Sequence, residues 1–196
     1  METIEKRVNA YVRNNVNDKV GSFLSITFPK ISANKWTTIG FLASIAAAFI
    51  VVKCGLLWGT LAIAISSSFD WLDGAVARAR KKESRFGAFL DDIADRLGES
   101  FYFIAIFLLQ PSLGLMVAVI TSFLVSYVKA DGERRGFKIS SGEVTGRFGR
   151  IILLLILMLI SPLISISLII WLIVALNIFT IVKRLHEVYQ QTHHKG

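Results

Sequence analysis

The sequence predicts an all-α integral membrane protein of six transmembrane helices, preceded by an N-terminal amphipathic juxtamembrane helix. Three observations carry that expectation. The mean hydropathy is +0.59, and 18% of the 196 residues are charged, where soluble domains have roughly a quarter. Six windows approach the roughly 20 apolar residues that a helix needs to cross a bilayer. The basic residues gather in alternate connections between those windows. A hydrophobic share of 54% excludes a disordered chain, and a single cysteine, Cys54, excludes an internal disulfide framework. The net charge of +8 suits either nucleic acid or an anionic membrane face. The apolar windows choose the membrane, with no nucleic-acid partner.

Taken in order, the chain first places Ile4, Val8, Val12, Val16 and Val20 four residues apart, with Lys6, Arg7, Arg13 and Lys19 between them. That period gives an amphipathic helix on the membrane surface. The six windows follow at residues 36–52, 56–77, 86–109, 113–128, 148–160 and 163–181. Their breaks are Lys53-Cys54-Gly55, the basic stretch 78–85, Gln110-Pro111-Ser112, the polar stretch 129–147 and Ser161-Pro162. No repeat or linker divides the chain. It reads as one domain over 1–196, with a juxtamembrane segment at 1–31, a six-helix bundle at 32–185 and a polar tail at 186–196.

Orientation follows from where the basic residues fall. Lys6, Arg7, Arg13, Lys19, Lys30 and Lys35 precede the first span, and Arg78, Arg80, Lys81, Lys82 and Arg85 join the second to the third. Lys129, Arg134, Arg135, Lys138, Arg147 and Arg150 join the fourth to the fifth, and Lys183, Arg184 and Lys195 end the chain. Arg96 lies within the third span, which leaves Lys53 for the opposite face. Both termini and the long basic connections are therefore expected in the cytoplasm of a multi-pass membrane protein. Trp36, Trp58 and Trp171, near span ends, read as interface anchors.

An ionisable residue in an apolar span costs roughly 2.5 to 3.5 kcal/mol on insertion scales. The second span nevertheless holds Asp70 and Asp73, and the third holds Asp91 and Asp95. Spacings of three and four put each pair on one helix face, and both pairs fall toward the cytoplasmic ends of their spans. Carboxylates gathered this way repel, and a divalent ion relieves the repulsion. All-oxygen ligation favours Mg²⁺ or Mn²⁺ over zinc. Gly74 and Gly87 remove side-chain bulk beside these carboxylates, which favours close approach of a ligand. Arg78 offers a guanidinium to a phosphate. The combination points to phosphate transfer to or from a lipid. Asp92, one residue from Asp91, reads as an interhelical or outer hydrogen-bonding residue, and Glu99 as a partner of Arg96 or of a neighbouring helix. His186, His193 and His194 lie in the tail without ligand spacing.

Written out, these residues form D-x2-D-G-x2-A-R-x8-G-x3-D-x3-D from Asp70 to Asp95. That pattern resembles, at all eight fixed positions, the signature of the CDP-alcohol phosphotransferase family. Ser32-Ala33-Asn34-Lys35-Trp36-Thr37 is similar to the Pro-Asn-x-x-Thr at the start of that family's first span, with Ala33 in place of the proline. The resemblance implies a transferase that moves a phosphatidyl-type group from a CDP-linked lipid, CDP-diacylglycerol or CDP-archaeol, to an alcohol and releases CMP. It implies Asp70, Asp73, Asp91 and Asp95 as ligands of two Mg²⁺ or Mn²⁺ ions, with Asp95 also the catalytic base. It further implies Asp70, Asp73, Gly74, Ala77, Arg78, Gly87, Asn34 and Thr37 at the CDP-lipid site, and a homodimer in a prokaryotic cell membrane.

For the acceptor, the stretch from Ser126 to Arg150 is most similar to the phosphatidylinositol-phosphate and archaetidylinositol-phosphate synthase branch. Lys129, Arg147 and Arg150 match as acceptor-phosphate residues, whereas Asp131 stands where that branch has arginine, and Gly146 and Gly149 where it has glutamates. The resemblance implies inositol phosphate as acceptor, with glycerol phosphate or another polar alcohol as the alternative. Pairing of Asp131 with Arg134 or Arg135 would leave inositol phosphate in place. A cation transporter is the rival class, since intramembrane carboxylates also mark ion pathways. It predicts carboxylates at the bilayer midplane and repeated halves, and the acidic cluster instead lies in one hairpin near the cytoplasm.

Overall fold

The computed structural model describes residues 18–80, 84–139, 147–161 and 165–193. Most of the predicted amphipathic helix, at 1–17, lies outside the described residues. Seven helices are described: α1 (Asp18–Thr27), α2 (Ala33–Cys54), α3 (Leu56–Ala79), α4 (Arg85–Leu109), α5 (Leu113–Arg134), α6 (Arg147–Ile160) and α7 (Ile166–His193). No strand occurs among the described residues.

The helix ends follow from local chemistry. Gly55 stops α2 with a φ of 83°, a left-handed conformation that glycine adopts without strain. Ser112 caps α5, its hydroxyl accepting from the Leu115 amide at 3.3 Å. α5 closes at Gly136 (φ 85°), where the Phe137 amide donates to the Gly132 carbonyl and the Gly136 amide to that of Glu133, both at 3.0 Å. This Schellman closure extends α5 beyond the predicted boundary at 128, so Lys129 and Asp131 are helical and not in a loop.

Among the described residues, α2, α5 and α7 are long and apolar enough to cross a membrane. α3 and α4 have the length, at 24 and 25 residues, but carry Asp70, Asp73 and Arg78, and Asp91, Asp92, Asp95, Arg96 and Glu99. α6 is apolar but has 14 residues, short of the roughly 20 a span needs. Large apolar side chains such as Phe49, Leu61, Ile65, Leu108 and Leu168 face outward, as in a membrane protein whose outer surface is solvated by lipid.

The chain divides into two compact units, one of Met1–Ala47 and Ala62–Glu99, the other of Ala48–Leu61 and Ser100–Gly196. In the first, Gly21 brings α1 onto the α3 backbone; a Cβ there would sit 2.3 Å from the Ala75 carbonyl oxygen. Trp36 is 7% exposed, edge-on to Phe28 and stacked on Phe69 with centroids 6.1 Å apart. It is a core residue of this unit and not an interface anchor, because Phe28, just past α1, and Phe69 on α3 cover it. Trp58 and Trp171 are exposed. In the second unit α7 packs chiefly along α5 and also touches α6. Buried Asn177 on α7 donates to Thr121 and Ser122 on α5 at 3.0 and 3.1 Å, a polar link between helices that otherwise meet through apolar side chains.

Candidate active site

The first unit holds a cavity of about 350 Å³ lined by the start of α2, the end of α3 and the start of α4. Asn34 and Thr37 reach it from one face of α2, three residues apart. Asp73, Gly74, Ala77 and Arg78 come from the last turns of α3, and Gly87 and Asp91 from the first turns of α4. Ser84, just ahead of α4, also lines it. Eleven residues, all small or polar and drawn from three helices and the residue ahead of the third, thus meet in one wall.

Each helix places its residues by a specific contact. Thr37 donates its hydroxyl to Asp73 Oδ2 at 2.5 Å in a buried bond that ties α2 to α3. The Asp73 side chain is only 4% exposed. Gly74 leaves room for the Arg78 guanidinium to fold back over it; a Cβ at Gly74 would lie 3.1 Å from Arg78 Nη1. Arg78 Nε is buried without a hydrogen-bond partner among the described residues, which leaves a guanidinium donor in the cavity wall for an anionic ligand. Ser84 caps α4, its hydroxyl accepting from the Gly87 amide at 2.9 Å. A Cβ at Gly87 would come within 2.9 Å of Asn34 Oδ1 and 3.0 Å of Ser84 Oγ. The α4 N-terminus therefore opens at the cavity, where its dipole favours negative charge.

Of the four aspartates, the structure brings Asp73 and Asp91 to this cavity. The side chain of Asp70 lies outside the described residues, and Asp95 is one turn farther along α4, not in the lining. Among the described residues no three His, Cys, Asp or Glu side chains form a metal-binding group. The donors present nonetheless fit a hard divalent cation, since two carboxylates share the wall with amide and hydroxyl oxygens and no sulfur or imidazole. Asp92 pairs with Arg96 on its own helix at 3.2 Å and its side chain is 68% exposed. Of the two roles the sequence suggested, interhelical or outer hydrogen-bonding residue, the interhelical one is not seen among the described residues: Asp92 pairs within its own helix and lies outside the cavity lining.

The acceptor candidates belong to the second unit. Lys129 on α5 approaches Glu133 at 3.8 Å, and Arg150 on α6 is buried. Arg147 begins α6, with its side chain outside the described residues. Asp131 is held by Arg134 at 2.9 Å and Arg135 at 2.7 Å, and this contact pushes the Arg135 guanidinium's pKa above its ordinary value.

Sequence reasoning missed two residues. Ser84 stands outside the fixed pattern, and only its position before the apolar run of α4 marks it as a cap. Arg184 read as a tail charge but is buried, its Nη1 donating to the Val125 carbonyl at 2.5 Å. It lies near enough to Arg150 for their like charges to repel. The signal was present in the spacing of Asn177, Thr180 and Arg184, which fall on one face of α7 and are all buried.

Residues 30–182 match the CDP-alcohol phosphatidyltransferase family. The chain is 33% identical over 191 residues to the phosphatidylinositol phosphate synthase of Mycobacteroides abscessus, with 85% of each chain covered. It is likewise 33% identical over 166 residues to the archaetidylinositol phosphate synthase of Methanothermobacter thermautotrophicus, covering 82% of this chain and 85% of that one. The crystal structure of Mycobacterium tuberculosis phosphatidylinositol phosphate synthase with CDP-DAG bound superposes with a TM-score of 0.77 at 26% identity, over 89% of this chain and 94% of that one. The same enzyme in complex with manganese and citrate gives a TM-score of 0.76 over 89% of each chain. Signature, fold and relatives agree, and the chain belongs to the CDP-alcohol phosphatidyltransferase family of membrane transferases, whose members work with a divalent ion such as Mg²⁺ or Mn²⁺.

Proposed function

We propose that this transferase moves the phosphatidyl-type group of a CDP-linked lipid to inositol phosphate, releasing CMP. The observation that carries the donor half is the cavity in which Asp73, Asp91, Gly74 and the Arg78 guanidinium share one wall. Inositol phosphate as acceptor is supported by relatives that are phosphatidylinositol phosphate and archaetidylinositol phosphate synthases. The engagement of Asp131 by Arg134 and Arg135 also supports it, because a paired carboxylate does not repel an incoming phosphate as a lone one does.

Asn34, Thr37, Gly74, Ala77, Arg78, Ser84 and Gly87 hold the CDP moiety, with Arg78 on its phosphates. Asp70, Asp73, Asp91 and Asp95 hold the divalent ions, which when bound neutralise diphosphate charge and stabilise the departing CMP. Thr37 keeps the Asp73 carboxylate oriented through its hydrogen bond. Asp95 takes the proton of the acceptor hydroxyl as its oxygen bonds to the lipid-bearing phosphorus and the bond from that phosphorus to CMP breaks. Lys129, Arg147, Arg150 and Arg184 hold the acceptor phosphate by charge-assisted hydrogen bonds. The same reading takes residues 1–196 as one functional domain, since the family match covers parts of both units. Six spans place both termini and the active site at the cytoplasmic face of a prokaryotic membrane, with residues 1–31 along its surface. The homodimer implied by the resemblance belongs to the same proposal.

The test is CMP release by purified protein with Mg²⁺ or Mn²⁺, from CDP-diacylglycerol and from CDP-archaeol, across inositol phosphate, glycerol phosphate, free inositol and serine. The expected result is efficient release with inositol phosphate that stops on chelation and returns with either ion. Equal release with free inositol or serine would overturn the phosphate-bearing acceptor. Cation flux without CMP release would overturn the whole reading.

A further inference from the structure

The connection between α1 and α2 is held by one side chain from elsewhere in the unit. Arg80, immediately beyond α3, donates through Nη1 to the Ile31 carbonyl at 2.6 Å and through Nη2 to the Phe28 carbonyl at 2.9 Å. Its Nη2 also reaches the Ser25 carbonyl at 3.4 Å, and its Nε the Ser25 hydroxyl at 3.3 Å. One of these acceptors, the Ser25 carbonyl, lies in the last turn of α1, where the helix leaves its carbonyls unsatisfied and its dipole favours a cation. The planar guanidinium spreads five N–H donors over three nitrogens in a fixed fork, whereas an ammonium carries its three on a single nitrogen. Two residues past Ile31, α2 begins, and its first turns carry Asn34 and Thr37 into the cavity wall.

The geometry points to Arg80 as a positioning residue for the CDP-lipid site. It fixes the start of α2 against the end of α3, so that Asn34 stays beside Gly87 and Thr37 stays bonded to Asp73. Arg80 itself is not among the residues lining the cavity, and it acts through the segment it holds. This inference rests on reading that cavity as the CDP-lipid site. The alternative role for Arg80 is a membrane-orienting charge, which lysine fills equally well.

The test compares Arg80→Ala and Arg80→Lys with the parent, measuring CMP release against CDP-lipid and acceptor concentration separately, and tryptic cleavage after exposed Lys30 in detergent. Arg78→Gln is run in parallel to report on the cavity itself. Loss of hydrogen bonds to a charged group predicts a donor KM raised by about tenfold in Arg80→Ala, with the acceptor KM unchanged and cleavage at Lys30 faster. Arg80→Lys should recover little of the donor KM. The inference is overturned if Arg80→Lys equals the parent in donor KM, or if both variants do, while Arg78→Gln is impaired. An unimpaired Arg78→Gln would instead remove the cavity reading on which the inference stands.

Discussion

Replacing Gly87 with alanine separates the needs of the site from those of the fold. The added Cβ would lie 2.9 Å from Asn34 Oδ1 and 3.0 Å from Ser84 Oγ, where ordinary contact begins at 3.4 Å. Both obstructing atoms are tips of side chains, so the helix backbone keeps its place while Asn34 and Ser84 withdraw by about 0.5 Å in the close-packed wall. The withdrawal weakens the Ser84 cap on the Gly87 amide, a loss of about 1 kcal/mol. Alanine's better helix propensity returns about 1 kcal/mol. Stability should therefore be almost unchanged, with a thermal midpoint in detergent within a few degrees of the parent. Catalysis has no such offset. A misplacement of 1 Å costs about a hundredfold, so half that displacement on the wall that holds the donor should lower kcat/KM for the CDP-lipid by about tenfold. The assay is CMP release against CDP-lipid at saturating acceptor, beside a thermal melt. An unchanged donor kcat/KM would refute the claim that these side chains touch the donor, and a collapsed midpoint would refute the claim that only side-chain tips must yield.

Asp70→Asn, Asp73→Asn, Asp91→Asn and Asp95→Asn should each abolish CMP release while the protein remains folded in detergent, whereas Asp92→Asn, which loses only an exposed intrahelical pair, should keep substantial activity. Neutralising Lys129, Arg147, Arg150 or Arg184 should raise the KM for a phosphate-bearing acceptor roughly ten- to a hundredfold, at about 1.5 to 3 kcal/mol per charge-assisted bond, and leave the donor KM nearly unchanged; an equal rise in both would mean that these cations do not serve the acceptor. Asp131→Ala should leave the acceptor KM where it was, because Arg134 and Arg135 already engage that carboxylate. A marked fall in KM would show that Asp131 repels the acceptor.

The sequence by itself determined the all-helical membrane class, the family and most of the residues that line the cavity. Apolar runs and a fixed spacing of aspartates, glycines and arginine are one-dimensional signals, and a helix converts spacing into a shared face without reference to the rest of the chain. Asp73, Gly74, Arg78, Gly87 and Asp91 were legible for that reason, Asn34, Thr37 and Ala77 through the family resemblance, and the cavity gathers all of them. What the tertiary structure decided was which faces meet. Thr37 and Asp73 are 36 residues apart, Arg80 and Ser25 are 55, and Arg184 and Val125 are 59. Nothing local records such pairings. Trp36 became core because Phe28, just past α1, and Phe69 on α3 cover it, and Arg184 became a buried cation because α7 turns it toward α5. Hydropathy and charge fix how a residue meets water or lipid. Its partner is fixed by the crossing of two helices, and that depends on packing along their whole length.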